Sequence, residues 1–359
     1  MNKKIIFTSG GTGGHLFPAI NMMKHFSDIG YEVLLVTDDR GNHFMKKYPE
    51  FKSYVISADT PLNKNFLKAA LSLLLIIFSV IRSIIIIKKE KPNLVFGFGG
   101  YVSFPFSFAS KFFSLPLAIY ENNIVIGKAN KYLLPFAKKI FLAKEISSNL
   151  PKRHGKKISQ VGSILNKNII NFSLIKKNHN NKNFSFLVLG GSQGAEIFGN
   201  VVPSAIKMLQ DYGYEIEINQ QCLKTQKKSL IEFYEKNKIK NNIFEFSDNI
   251  VELISSSDLA ITRGGASTIA ELACTFTPFI TVPIPNSINN HQYLNAKYYE
   301  EKGLCWLLPQ NEFNSKKLFK LILEIMQDEQ KLKNIREGIQ KKESKNVYNN
   351  IENEIKKLI

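Results

Sequence analysis

Short, continuous hydrophobic runs recur at 4–8, 32–37, 94–98 and 117–120, separated by helix-length segments, and the same rhythm resumes from 184 to about 335. Runs of this kind, apolar throughout rather than alternating, predict buried parallel strands joined by helices. Two of them, Ile5-Ile6-Phe7 and Phe186-Leu187-Val188-Leu189, end in glycine-rich turns: Gly10-Gly11-Thr12-Gly13-Gly14-His15 and Gly190-Gly191-Ser192-Gln193-Gly194. Each turn leads into helix-like sequence, the arrangement by which a βα unit presents backbone N–H groups to phosphate. A second echo pairs Leu94-Val95-Phe96-Gly97-Phe98-Gly99-Gly100 with Leu259-Ala260-Ile261-Thr262-Arg263-Gly264-Gly265. The duplication predicts an α/β protein of two Rossmann-like domains whose parallel sheets face a cleft. The polar stretch from Lys176 to Asn183 reads as an exposed linker, and the hinge is placed near Val161-Gly162-Ser163, giving domains 1–162 and 163–337. The lysine-rich segment from about 314 has helical spacing, with Leu318, Ile322, Ile325 and Met326 available for packing.

Leu71 to Ile87 stands apart, being almost entirely Leu, Ile, Phe and Val, interrupted by Ser72, Ser79, Arg82 and Ser83. Insertion energy alone does not exclude a bilayer span, since its apolar residues, at about −0.3 to −0.6 kcal/mol each, offset one central Arg at about +3 kcal/mol. A single crossing, however, separates the first glycine turn from the strand at 94–98 and tears the sheet that holds both. Lys64 and Lys68 before the segment and Lys88, Lys89 and Lys91 after it show no inside bias. The serines and Arg82 fall on one side of a helix, leaving an apolar face wider than sheet packing needs. A peripheral membrane contact explains that surplus, and a crossover helix buried in its domain is the plainer alternative.

At 359 residues and 44% hydrophobic content the chain has room for two cores. The net charge of +18 suits an anionic partner such as nucleic acid, an acidic membrane face or a phosphorylated substrate. Lysine is abundant throughout, so the excess reads equally as general composition. Cys222, Cys274 and Cys305 are widely spaced, without zinc-ligand or disulfide-framework patterns, as expected of a reducing cytoplasm. The apolar stretch before the first glycine turn is too short for a signal-peptide core, which predicts a protein that is not exported.

The first turn lacks the third glycine of a dinucleotide fingerprint and the lysine of a P-loop. It offers instead small residues and His15 at a helix mouth, where an imidazole can take a proton from a hydroxyl near neutral pH. Gly99-Gly100-Tyr101-Val102-Ser103 and Gly264-Gly265-Ala266-Ser267-Thr268 both follow strands, where open α/β sheets bind ligands. Ser267 or Thr268 is expected to cap the helix that begins there, with its N–H groups favouring a diphosphate. Glu271 lies one turn further in, where a carboxylate suits a ribose diol or simply compensates the helix dipole. No Asp-x-Asp pair occurs in the chain, so no carboxylate clamp for a metal is evident.

Taken with Glu121-Asn122-Asn123 and His291-Gln292-Tyr293, these motifs resemble, in order and over nearly the whole chain, the MurG family of peptidoglycan N-acetylglucosaminyltransferases. The resemblance implies a GT-B fold, with the lipid-linked acceptor held by the N-terminal domain, which a C-terminal helix at about 338–359 rejoins, and UDP-N-acetylglucosamine held by the other. It implies inverting transfer to the 4-hydroxyl of N-acetylmuramoyl-pentapeptide pyrophosphoryl-undecaprenol, without metal or other cofactor. His15 is then the base, and Glu271 shares the catalytic role while binding the ribose. Thr12, Gly13, Gly14 and Asn123 approach the donor sugar or the reacting centre. Ser192 meets the diphosphate, Ser247 the uracil, Ala266, Ser267, Thr268, Ile269 and Ala270 the nucleotide, and Gln292 the sugar hydroxyls. Gly99, Gly100 and Tyr101 cradle the acceptor diphosphate. The implied surroundings are an anionic membrane surface on the cytoplasmic face, contacted peripherally, and no nucleic acid.

Three positions depart from the family pattern. Asn166 stands where an arginine is usual, with Lys167 beside it as a point charge without the guanidinium fork. His291-Gln292 replaces a Gln-Gln pair, and Asn122 replaces a glutamine. A nucleotide-sugar epimerase or hydrolase shares the donor site but needs no apolar helix. A dinucleotide-dependent oxidoreductase is supported only by the first turn and by Asp38-Asp39 after the second strand.

Overall fold

The computed structural model describes residues 3–57, 66–145, 150–172, 183–191, 195–247, 249–340 and 346–359. The chain divides into two compact units, Met1–Leu165 with Ser344–Ile359, and Asn166–Glu343. The linker at 176–183 falls almost wholly outside the described residues, as does Ser192.

The first unit is built on seven parallel strands: β1 (Lys4–Thr8), β2 (Glu32–Thr37), β3 (Lys52–Val55), β4 (Leu94–Gly97), β5 (Leu117–Glu121), β6 (Lys139–Leu142) and β7 (Ile158–Gln160). Their order is β3-β2-β1-β4-β5-β6-β7. The chain therefore reverses its winding between β1 and β4, and the loops leaving those two neighbours open the crevice in which such sheets bind ligands. Helices α1 (Gly13–Asp28), α2 (Asp39–Met45), α3 (Phe66–Glu90), α4 (Ser103–Ala109) and α5 (Lys128–Leu133) connect the strands. Strands β3, β6 and β7 escape the sequence reading because each is only three or four residues long and carries polar positions.

The second unit repeats the plan with α6 (Lys167–Phe172), β8 (Phe184–Leu189), α7 (Glu196–Asp211), β9 (Ile216–Gln221), α8 (Lys227–Lys236), β10 (Lys240–Phe244), α9 (Ile250–Ser256), β11 (Leu259–Thr262), α10 (Ala266–Cys274), β12 (Phe279–Thr281), α11 (His291–Glu300), β13 (Trp306–Leu307), α12 (Ser315–Gln327) and α13 (Glu329–Gln340). The sheet order is β10-β9-β8-β11-β12-β13, all parallel, with its reversal between β8 and β11. Leu318, Ile322 and Ile325 of α12 are buried in its core, with Met326 packed against them. The last helix, α14 (Val347–Lys356), packs on α1 of the first unit. It is held there by His25 against Glu352 at 2.8 Å, by Tyr348 bonding the Leu165 carbonyl, and by Lys139 with Glu354.

Helix α3 wears its sequence inside out. Ser72, Ser79 and Ser83 line its buried side, where it packs on α4, and the Ser83 hydroxyl donates to the Ser79 carbonyl at 2.6 Å. Many of the large residues face outward, with Leu71 61%, Phe78 68% and Ile85 60% exposed, while Ile86 and Ile87 near its end are buried in the core. Arg82 does not share the serine side as the sequence reading expected; it is exposed on the apolar face. Small side chains let α3 approach its neighbour closely, and the outward bulky ones are left uncovered by the described residues.

The far end of α3 is fixed by a buried ion cluster. Glu90 accepts from Lys4 at 3.0 Å, Lys52 at 2.6 Å and the Tyr54 hydroxyl at 2.5 Å, tying the helix end to β1 and β3. Burial alone raises its pKa, but these three donors outweigh it and hold the carboxyl at about 2. A depressed carboxylate pKa stabilises the fold above the unfolded value of about 4.5 and loses that contribution as pH falls toward 2, here at most about 3 kcal/mol. Glu90→Gln is expected to cost roughly 2–4 kcal/mol at pH 7, and its deficit against the parent to shrink below pH 4, measured by urea unfolding.

Candidate active site

Both glycine turns of the first unit sit at its winding reversal, and they support each other. The β1–β4 ladder continues into the loops, with Phe98 N–H donating to the Thr8 carbonyl at 2.8 Å and Gly10 N–H to the Gly99 carbonyl at 2.9 Å. Gly10 and Gly100 then meet backbone to backbone. A Cβ on Gly100 would lie 2.7 Å from the Gly10 Cα, and its φ of +84° is itself a glycine conformation. Half-buried His15, in the first turn of α1, lies against Gly99, where a Cβ would be 3.1 Å from the ring. Thr12 is the N-cap of α1 in extended conformation, with no side-chain cap and no acid in the first turn. The positive end of that helix, at Gly13 and Gly14, thus remains available to an anion. Tyr101, 40% exposed, extends from the second turn.

Asp38 does not have the geometry of a ribose ligand. One carboxylate oxygen accepts from Gly11 N–H at 3.0 Å and the other from Gly41 N–H at 2.8 Å, so it caps α2 and anchors the glycine turn. This accounts for Asp38 of the pair that favoured the oxidoreductase reading; Asp39 is exposed in the first turn of α2.

The segment after β5 forms the next wall. Asn122 is buried and its amide donates to the Gly14 carbonyl at 3.3 Å. Asn123 N–H and Nδ2 both donate to Glu121. The Tyr120 hydroxyl accepts from Ile164 N–H at 3.1 Å, with Asn122 Oδ1 at 3.1 Å and the Gly162 carbonyl at 3.3 Å sharing its one proton. Tyr120 and Asn130 carry no motif, and the sequence offered no signal for either.

In the second unit, Gly190 N–H is held by Gln221 Oε1 at 3.0 Å at the top of β8. Beside it, after β11, Gly265 is the N-cap of α10, with no side-chain cap. Ser267 and Thr268, expected to cap this helix, lie inside its first turn instead, because glycine already supplies the extended cap conformation. Ile269 and Ala270, expected at the nucleotide, are buried in the core, whereas Ala266, Ser267 and Thr268 are half-buried. Glu271 sits in the second turn, too deep to be a cap. It reaches some solvent, yet the density of surrounding protein pushes its carboxyl up to about 7. Gly264 packs against Gln292, whose carbonyl oxygen would lie 2.2 Å from a Cβ there. Ile284 N–H donates to Gln292 Oε1 at 3.1 Å, which turns the amide NH2 away from that contact. His291 Nδ1 is 2.7 Å from the Ile288 carbonyl. Arg263, given no role by the sequence reading, braces this end of the sheet: Nη1 donates to the Val282 carbonyl at 3.0 Å and Gln310 Oε1 at 2.7 Å, with the guanidinium over Phe198. Ser247 accepts from Asn249 N–H at 3.2 Å. Asn166 caps α6 by accepting from Asn168 N–H at 2.9 Å, which leaves its NH2 for any ligand. Among the described residues no group of three His, Cys, Asp or Glu is placed to hold a metal ion.

The glycosyltransferase family 28 N-terminal domain matches residues 5–142, and the corresponding C-terminal domain residues 185–351. A relative from Pelagibacter ubique strain HTCC1062 is named UDP-N-acetylglucosamine--N-acetylmuramyl-(pentapeptide) pyrophosphoryl-undecaprenol N-acetylglucosamine transferase. It is 34% identical over 353 residues, 98% of this chain and 97% of its own. One of the same name from Rickettsia canadensis strain McKiel is 34% identical over 326 residues, 90% and 91% of the two chains. The crystal structure of Acinetobacter baumannii MurG matches with a TM-score of 0.79 at 22% identity, covering 99% of this chain and 100% of that one. The fold is GT-B, two Rossmann-like domains each on a parallel sheet.

The raised pKa of Glu271 carries a pH signature. A ligand that donates hydroxyl hydrogens to its carboxylate would favour the ionised form, so its binding would lower the pKa and release a proton. With UDP as the probe, such a contact predicts an affinity that rises with pH up to about 7 and levels off above it. Calorimetry in buffers of different ionisation enthalpy measures the proton release, which Glu271→Gln abolishes.

Proposed function

The chain belongs to glycosyltransferase family 28, and from that premise we propose that it transfers N-acetylglucosamine from UDP-N-acetylglucosamine to the 4-hydroxyl of N-acetylmuramoyl-pentapeptide pyrophosphoryl-undecaprenol. The observation that carries this is the 34% identity to relatives of that name over nearly their full length. It favours transfer over epimerisation, because the shared sequence includes the first unit and not the donor half alone.

In this reading His15 takes the proton from the acceptor hydroxyl as its oxygen attacks the anomeric carbon, and the bond from that carbon to UDP breaks with inversion. The charge on the departing diphosphate is taken up by amides at the start of α10 and by the turn at Gly190–Gly194, Ser192 included. Glu271 holds the ribose, Ser247 contacts the uracil, and Gln292 donates from its NH2 to sugar hydroxyls. Thr12, Gly13, Gly14 and Asn123 surround the reacting centre. Gly99, Gly100 and Tyr101 receive the acceptor diphosphate, and Asn166 stands at the donor as a neutral substitute for arginine. No covalent intermediate is required.

The outward face of α3 gives the acceptor's lipid a place to approach. Its exposed Leu, Ile and Phe side chains, flanked by Lys88, Lys89, Lys91 and Arg82, suit the cytoplasmic face of an anionic bilayer, contacted peripherally. Each buried Leu or Phe contributes roughly 2 kcal/mol to such a contact.

Purified protein given UDP-N-acetylglucosamine and a short-chain lipid acceptor is expected to release UDP only when the acceptor is present, and to continue in EDTA. His15→Ala is expected to lower kcat by about 10²- to 10⁴-fold. Absence of acceptor-dependent release refutes the assignment. In a sedimentation assay, Leu74→Glu with Phe78→Glu is expected to abolish binding to phosphatidylglycerol vesicles while leaving UDP affinity intact.

A further inference from the structure

Glu121, at the end of β5, is 1% exposed and carries four hydrogen bonds, all from neutral donors. One oxygen accepts from Asn123 N–H at 3.1 Å and Asn123 Nδ2 at 3.0 Å. The other accepts from Gly127 N–H at 2.8 Å and Asn130 Nδ2 at 3.0 Å. Asn130, itself fully buried, gives its second amide hydrogen to the Tyr120 carbonyl at 3.0 Å, which fixes the orientation of its amide. It also stands beside Gly99: a Cβ there would lie 3.5 Å from Asn130 Nδ2 and 3.1 Å from the His15 ring. One carboxylate thus gathers the asparagine of the reacting centre, the start of α5 and a residue that flanks the same glycine as His15.

We infer that Glu121 is a positioning residue for the transfer reaction, acting through the amide of Asn123. By accepting from both the Asn123 N–H and Nδ2 it fixes which way the Asn123 amide faces, so the side chain meets its ligand in a single orientation. A carboxylate suits this task because it only accepts; each of its two oxygens takes two donors. Glutamine has the same shape but always sets an NH2 against two of those donors, so it cannot hold the loop. The inference rests on the transferase reading above.

The test is a double-mutant cycle on the full-length protein with UDP-N-acetylglucosamine and the short-chain lipid acceptor. Glu121→Gln is expected to lower kcat by about 10²-fold, the cost of a misplaced reacting group, with UDP affinity unchanged because that site lies in the second unit. Asn123→Ala is expected to lower kcat as well, and adding Glu121→Gln to it to cost little more. A parental kcat in Glu121→Gln, or penalties that multiply in the double variant, overturns the inference. Should Glu121→Gln not yield folded protein, Asn123→Asp opposes two carboxylates and is expected to lose kcat. The pair E121Q/N123D restores a donor to an acceptor and is expected to regain part of it; no regain overturns the inference. Absence of acceptor-dependent transfer in the parent protein instead refutes the transferase reading, a separate outcome.

Discussion

The first unit depends on one steric fact: at the top of its sheet the backbones of Gly10 and Gly100 touch, with no room for a side chain on either. Two loops that close cannot be held by side-chain packing, so they are held by backbone bonds that extend the β1–β4 ladder past the strand ends. The glycines leave the helix-mouth amides uncovered and put Gly99 directly beneath the His15 ring. Substituting either loop displaces the other. The second unit meets the same demand differently, by packing Gly264 on the backbone of Gln292.

The acids fall into two groups that surroundings alone distinguish. Asp38, Glu90 and Glu121 each accept from two or more donors; Asp38 and Glu90 join segments distant in sequence, and Glu121 gathers one loop. Glu271 has protein packed around it without comparable donors, and its carboxyl is pushed up to about 7. A donor-saturated carboxylate is a brace, while one that lacks donors is suited to receiving a ligand's hydroxyls. Nothing in residue type separates them.

The helix at Phe66–Glu90 teaches a related lesson about amphipathicity. Its serines face the protein because the packing against α4 is close, and Leu71, Leu73, Leu74, Leu75 and Phe78 face out, uncovered by the described residues. A reading that assigns polar residues to solvent inverts this helix. Only the surplus of apolar residues was legible, and the proposed membrane contact rests on that surplus.

Much of the architecture follows from local sequence. Continuous apolar runs fix the strands, and glycine turns directly after two pairs of them mark the winding reversals, because phosphate-binding backbone geometry admits few other residues. Periodicity placed Leu318, Ile322 and Ile325 in a core. What local sequence did not contain was any partner more than a few residues away. That Asp38 anchors Gly11 and that Asn122 reaches Gly14 were decided only when the sheet brought those segments together. The choice of Gly265 over Ser267 to begin α10 and the gathering of Asn123 with Asn130 by Glu121 were each decided by the path of a single loop, which residue type alone does not specify. Chain order determines which residues are present at the strand ends; hydrogen bonding and burial between non-neighbours determine which of them brace the loops and which remain for a substrate.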